Sequence, residues 1–173
     1  MSTVLFDQGT AIIWGHTGGA GVTNAMDVNN LSSGSGFEGA AQDLGSTFAE
    51  WWSLWVWIET GTAPTADLSV DVWLNWSHDG SNWSGGATGT NASYAIGSND
   101  SSLRLVGRGS QSGNVLVTAT ANTTFKAGPF PVRAMSQYVS PIMVNRLNQS
   151  LRNQGTPANN TSRIILAPFV PTF

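Results

Sequence analysis

Residues 48–59 read Phe48-Ala-Glu-Trp-Trp-Ser-Leu-Trp-Val-Trp-Ile-Glu59. Side chains alternate across a strand, so Trp52, Leu54, Val56 and Ile58 fall on one face. Trp51, Ser53, Trp55, Trp57 and Glu59 fall on the other. Both faces are largely apolar. Such a strand is either central in a sandwich or covered on its outside by another chain. A turn follows over 61–66. Next, Leu68, Val70, Val72, Leu74 and Trp76 alternate with Asp67, Ser69, Asp71, Trp73 and Asn75. That pattern predicts a strand with one buried and one solvent face. Asp79-Gly80, within Ser77-His-Asp-Gly-Ser-Asn-Trp83, is a hairpin signal.

Outward from these strands the chain keeps the same character. An extended segment is expected over 3–14, then a long irregular Gly-rich excursion over 15–46, where glycine leaves no room for a long helix. Residues 84–101 read as a loop. Further strands are expected over 103–106, 115–121, 132–139, 142–147 and 164–166. Pro129, Pro131 and Pro141 are expected at strand starts or edges, where a missing N–H costs least. A weak helical pattern covers 144–152. The tail 167–173, with two prolines, is not expected in a central strand and reads as an extended arm. The expected fold is all-β: one jelly-roll-like antiparallel β-sandwich over 1–173 with long Gly/Ser/Asn-rich loops and arms at 1–14 and 167–173. No internal repeat suggests a propeller or solenoid.

Composition narrows the function. The chain has 173 residues, seven basic and ten acidic side chains, two His and no Cys. Charged residues make up 10%, well below the usual ~25%. Six Arg and one Lys, scattered along the chain, form no basic stripe for nucleic acid. Without Cys there is no disulfide framework, thiolate nucleophile or Cys-ligated zinc. Gly, Ser, Thr and Asn together supply 71 residues, yet eight Trp and seven Phe argue against disorder. The apolar run 51–58 is too short to span a membrane, and no Sec-type signal is visible at the N-terminus. Synthesis in a cytoplasm is expected. The triplets at Asn91, Asn122 and Asn160 read as products of composition rather than as glycosylation sites.

Motifs for chemistry are sparse. Asp71 with Asp79, or Glu50 with Glu59, are the available carboxylate pairs for glycoside hydrolysis. His16 and His78 are the only histidines, and no G-x-S-x-G elbow accompanies them. The glycines after His16 lack the G-K-[ST] ending of a phosphate loop. Ser77-x-Asp79-Gly80-x-x-Trp83 resembles a shortened Asp-box hairpin. Calcium at Asp79 and Asn82 would rest on one carboxylate. No catalytic residue, cofactor or metal is expected.

The tryptophans carry the stronger signal. Trp51, Trp52, Trp55, Trp57, Trp73, Trp76 and Trp83 crowd into a short span. One face of a sandwich does not easily hold seven indoles. Three readings stand: ordinary core, a platform stacking on sugar rings, or anchors in a protein interface, where aromatics are enriched. The expected interface residues are Trp51, Trp55, Trp57, Trp73, Phe169 and Phe173.

The run Thr62-Ala-Pro-Thr-Ala-Asp-Leu-Ser-Val-Asp-Val-Trp-Leu-Asn-Trp-Ser-His-Asp-Gly-Ser-Asn-Trp83 resembles the jelly-roll structural proteins of tailed bacteriophages. Ala25-Met-Asp-Val-Asn-Asn-Leu31 and Gln42-Asp-Leu-Gly45 fit the same group, so the resemblance covers residues 20–85. It points to head cement or decoration proteins and supplies no catalytic residues. The resemblance implies a non-enzymatic virion protein on the capsid surface, partnered by the major capsid protein, as a homo-oligomer (trimer or dimer). Neither nucleic acid nor membrane is an expected partner. Few charges and many Asn, Ser and Thr suggest contacts insensitive to salt. A carbohydrate-binding module or receptor-binding tail component using exposed Trp is the alternative.

Overall fold

A computed structural model describes residues 10–96, 111–153 and 161–168, with 111–116 described by their backbone. Two β-sheets pack face to face. The first has the order β2-β1-β11-β5-β9, from β1 (Ile12–Gly15), β2 (Asn24–Ala25), β5 (Trp51–Thr60), β9 (Thr123–Arg133) and β11 (Arg163–Pro168). The second has the order β7-β3-β10-β6-β8, from β3 (Gly36–Glu38), β6 (Ser69–Ser77), β7 (Ala92–Tyr94), β8 (Gln111–Leu116) and β10 (Tyr138–Asn145). A short β4 (Gln42–Asp43) also pairs with β10. Without the edge pieces β2, β4 and β7, the pairing is nested. β1 pairs with β11, β3 with β10, β5 with β9 and β6 with β8, all antiparallel. The chain is thus an all-β sandwich. Among the described residues no helix is long and apolar enough to cross a membrane.

The core lies between the sheets. Trp14, Leu54, Val56, Ile58, Leu74, Met143, Ile164 and Leu166 are each fully buried there, with Trp52 and Trp76 nearly so. Each such side chain contributes roughly 1.5–3 kcal/mol on leaving water. The alternation expected in β5 is observed: Trp52, Leu54, Val56 and Ile58 face inward, and Trp51, Ser53, Trp55 and Trp57 are half-buried outside.

β6 departs from its expected solvent face. Every residue from Val70 to Ser77 is buried. Segment 84–96, expected as a loop, holds a 3₁₀ turn and β7, and it covers the outside of this sheet. Trp73 there meets Tyr94, Ile142 and Val144 in a second small core, with Ala87 and Ile96 at its margin. Asp71, expected in solvent, is buried against the Arg146 guanidinium at 2.6 Å.

Glu38 fastens the cover. Its carboxyl is 2% exposed and accepts from the Thr88 N–H, the Gly89 N–H, the Thr88 hydroxyl and the Ser140 hydroxyl.

Other expectations need correction. Residues 132–139 are not one strand, because β9 ends at Arg133 and β10 begins at Tyr138. The excursion 15–46 contains β2, β3 and β4 rather than only irregular chain. β8 ends at Leu116, short of the strand expected to 121. No helix forms over 144–152. Instead the buried Asn145 amide donates to the Leu31 and Gln149 carbonyls and accepts from the Leu147 N–H, which folds the chain into a turn. Pro141 lies inside β10, between β6 and the β3/β4 pair, and not at an edge. The Gly39 N–H still donates to the Pro141 carbonyl at 2.9 Å. The Ser140 hydroxyl donates to the Gly39 carbonyl at 2.8 Å, replacing the N–H that proline lacks. Ala167 and Pro168 belong to β11, which lies between β1 and β5, so that part of the tail does enter a central strand. Phe169, Phe173, most of the N-terminal segment and the strand expected at 103–106 lie outside the described residues.

Candidate interaction face

On the outer face of the first sheet, Trp51, Trp55 and Trp57 are half-buried and join neither apolar cluster of the described residues. Register builds this face row by row. Trp57 lies opposite Arg163 of β11 and Lys126 of β9. Trp55 lies opposite Ile165, which in turn lies opposite Ile13 of β1. Ser53 lies between Ala167 and Pro131, and Trp51 opposite Arg133. The Lys126 ammonium sits 4.1 Å from the Trp57 ring centre, and the Arg163 guanidinium 5.5 Å from it. Cations stack over an indole face because its quadrupole is negative there. The Trp57 indole N–H is buried beneath them without an acceptor among the described residues.

Trp55 is placed by a glycine. β9 bulges between its pairings to Leu54 and Val56, and Gly128 occupies the gap with φ +123. A Cβ on Gly128 would lie 2.6 Å from the Leu54 carbonyl oxygen and 3.1 Å from Cδ2 of Trp55. Gly128→Ala is therefore expected to cost about 2–4 kcal/mol through clash and backbone strain. For a chain of this size that lowers the thermal midpoint by roughly 5–12 °C. A midpoint within about 2 °C of wild type would refute the packing described.

Of the sequence candidates, Trp51, Trp55 and Trp57 come together on this face. Trp73 does not: its own chain covers it, and it is 6% exposed. The remaining indoles are also accounted for. Trp14, Trp52 and Trp76 fill the core, while the Trp83 N–H donates to the Gly80 carbonyl across the 77–83 turn, which is not a β-hairpin because β6 and β7 do not pair. Lys126, Arg133 and Arg163 stand far apart along the chain, and only the strand register brings them to one face. Met135, 71% exposed, follows β9 at the Trp51 end.

The chemical candidates are engaged elsewhere. Glu50 pairs with Arg133 at 2.8 Å, and Glu59 with Arg152 and the Thr161 hydroxyl. His16 Nδ1 lies 2.9 Å from Asp27, and His78 Nε2 lies 3.6 Å from Asp79. Among the described residues no three His, Asp or Glu side chains group as metal ligands would. An open groove of about 470 Å³ beside β3 and β7 offers mainly amides and hydroxyls, from Asn29, Asn30, Ser32, Ser35 and Ser93.

Asp79 is spent on its turn. One oxygen accepts from the Ser81 and Asn82 N–H groups at 2.8 Å each, and the other from the Asn82 amide at 2.7 Å. Gly80 supplies φ +74. The oxygens a calcium ion would need already serve this turn. The Asn82 N–H, then the Ser81 N–H, then the Asn82 side chain hold the Asp79 carboxyl well below the usual carboxylate range. The turn's contribution to stability is thus complete above the unfolded carboxyl pKa, ~3.9. It is lost only as pH falls through the lower folded value. The Ser81 and Asn82 amide resonances are expected to show no carboxylate titration step between about pH 3.5 and 5. A step near ~4 would refute this.

No family model, curated protein or solved structure matches the chain.

Proposed function

We propose that the chain is a non-enzymatic structural protein of a tailed-phage virion. It is made in the host cytoplasm, binds the outside of the capsid and cements neighbouring major capsid proteins. The observation that carries this is the half-buried row of Trp51, Trp55 and Trp57 on a rigid sheet. Rigid aromatic anchors of this kind dominate protein interfaces. Nested strand pairing supports a jelly roll, an architecture found in viral capsid and lectin domains. That fold-level support is analogy, and the Trp face is the physical argument. The hairpin resemblance over 62–83 adds to it.

The test is co-sedimentation of the purified chain with expanded heads assembled without it. Saturable binding, with heads becoming more resistant to heat or chelation, is the expected result. No binding to heads would end the proposal. The sugar-platform reading draws on the same indoles, but Lys126 and Arg163 already occupy the Trp57 ring. A glycan array read by Trp fluorescence separates the two.

A further inference from the structure

Two open grooves meet at Asn30. The one beside β3 and β7, of about 470 Å³, is lined by Asn30, Ser32, Ser35, Ser93 and Phe37 among others. The second, of about 440 Å³, lies at the turns that follow β5 and precede β9, where Asn30, Asn122, Gln149 and Ser150 line it. Both volumes lie in the roughly 300–1,000 Å³ range of small-molecule sites. Asn30, Ser32, Ser93, Asn122 and Ser150 are exposed, and their side chains make no hydrogen bond within the chain among the described residues. The walls are fixed from beneath. The fully buried Asn145 amide donates to the Leu31 carbonyl at 2.8 Å, in the loop that carries Asn30 and Ser32, and to the Gln149 carbonyl at 2.9 Å. The Leu151 N–H donates to the same Leu31 carbonyl at 3.1 Å. The Thr62 hydroxyl donates to Gln149 Oε1 at 2.7 Å and orients that amide. Asn30 itself holds φ +55, a left-handed conformation that Asn tolerates better than most residues.

We infer that the two grooves form one binding site for a neutral oligosaccharide, with Asn30 at its centre. Amides and hydroxyls both donate and accept, as sugar hydroxyls do, so Asn30, Asn122, Gln149 and the serines match a row of them. Phe37, half-buried in the first groove, offers an apolar ring to the sugar C–H groups. The charged side chains on the described walls are already engaged. Asp27 accepts from the Asn29 N–H and faces His16, and Arg152 pairs with Glu59. An anionic ligand therefore finds no unpaired cation among the described lining residues. A peptide adding to the edge of β7 is disfavoured, because that strand has only three residues to pair with. The site goes beyond the capsid reading and does not use the Trp face. Gly61 and Asn122 lie past the Thr60 end of β5, whereas Trp51 begins that strand, roughly 30 Å away along it.

The test screens the purified chain on an array of neutral and anionic glycans, then titrates the strongest neutral hit into isotope-labelled protein. No indole lines either groove among the described residues, so backbone and side-chain amide resonances are the readout. Saturable shifts at Asn30, Ser93 and Gln149 are expected, with the Trp51 and Trp55 indole resonances unmoved. Asn30→Gly removes the amide at a φ that glycine adopts freely, so the variant should fold. It is expected to weaken glycan binding about tenfold. Asn122→Gly, at φ +51, alters the second groove alone and is expected to weaken binding of the same glycan about threefold. Circular dichroism and the thermal midpoint check both folds, and both variants should bind expanded heads as wild type does.

An array on which no neutral glycan binds overturns the inference, and so does binding confined to anionic glycans. Binding that neither substitution weakens overturns it as well. Shifts centred on Trp51, Trp55 and Trp57 overturn it in favour of the sugar platform on that face. None of these outcomes touches the capsid reading, which stands or falls on co-sedimentation with heads.

Discussion

Replacing Trp51 and Trp55 together by alanine is expected to weaken attachment to expanded heads by roughly 100-fold or more, with the fold intact. Both indoles sit on the outer face of β5, while Trp52, Leu54, Val56 and Ile58 on its inner face carry the core. Each buried aromatic anchor in an interface is worth about 2 kcal/mol or more, so two account for the loss. The cost to folding is smaller, because both are half-buried and the sandwich interior is untouched. Trp57 is left in place because it seats Lys126 and Arg163, and removing it would alter charge placement as well as area. Affinity from co-sedimentation and stability from urea unfolding are the two readouts. Binding within about threefold of wild type, in a folded variant, would remove this face from the interface.

The first sheet's strand β5 was legible because alternation is a local property. Its inner and outer residues separate as the sequence indicates: the inner row joins the core, and Trp51, Trp55 and Trp57 do not. The turn at Asp79-Gly80 is legible for the same reason, since its donors and acceptors all lie within 77–83, but the hairpin expected around it does not form, because β6 pairs with β10 and β8 and β7 pairs with β3. β6 has an equally clean alternation, yet its outer face is buried. What covers it is segment 84–96, a Gly-rich stretch with no periodicity to reveal a binding partner. Alternation shows which side chains point together, not whether another part of the chain lies on them. Local alternation puts Trp73 at the surface, and the non-local packing of 84–96 takes it off. The cations show the converse. Scattered along the sequence, Lys126, Arg133 and Arg163 meet only because β9 and β11 flank β5. A missing N–H is costly inside a sheet, which predicts an edge position for Pro141. Ser140 supplies a substitute donor that no spacing rule reveals.

Glu38→Ala is expected to lower folding stability by about 3 kcal/mol. No motif drew attention to Glu38, which stands alone in the Gly-rich excursion. It is 2% exposed and accepts from two backbone N–H groups and two hydroxyls. Truncation takes the acceptor from the Thr88 and Gly89 N–H groups, which water partly reaches because Thr88 is exposed and Gly89 half-buried, at about 1 kcal/mol or more each, while the hydroxyls can turn to other partners. Glu38→Gln keeps one oxygen and is expected to lose only about 1–2 kcal/mol. Urea unfolding of both variants tests the order, and a Glu38→Ala protein within about 1 kcal/mol of wild type would refute it. The consequence reaches function through Trp73. With its clamp gone, segment 84–96 lifts more readily, and Trp73, Ile142 and Val144 meet solvent. A red shift in Trp emission below the unfolding midpoint would report that opening. The variant would then carry a second apolar face, on the opposite sheet from Trp51, Trp55 and Trp57, and should aggregate where wild type does not. Glu38 thus keeps the aromatic side chains of the second sheet covered, as the proposed attachment through the Trp51, Trp55 and Trp57 face alone requires.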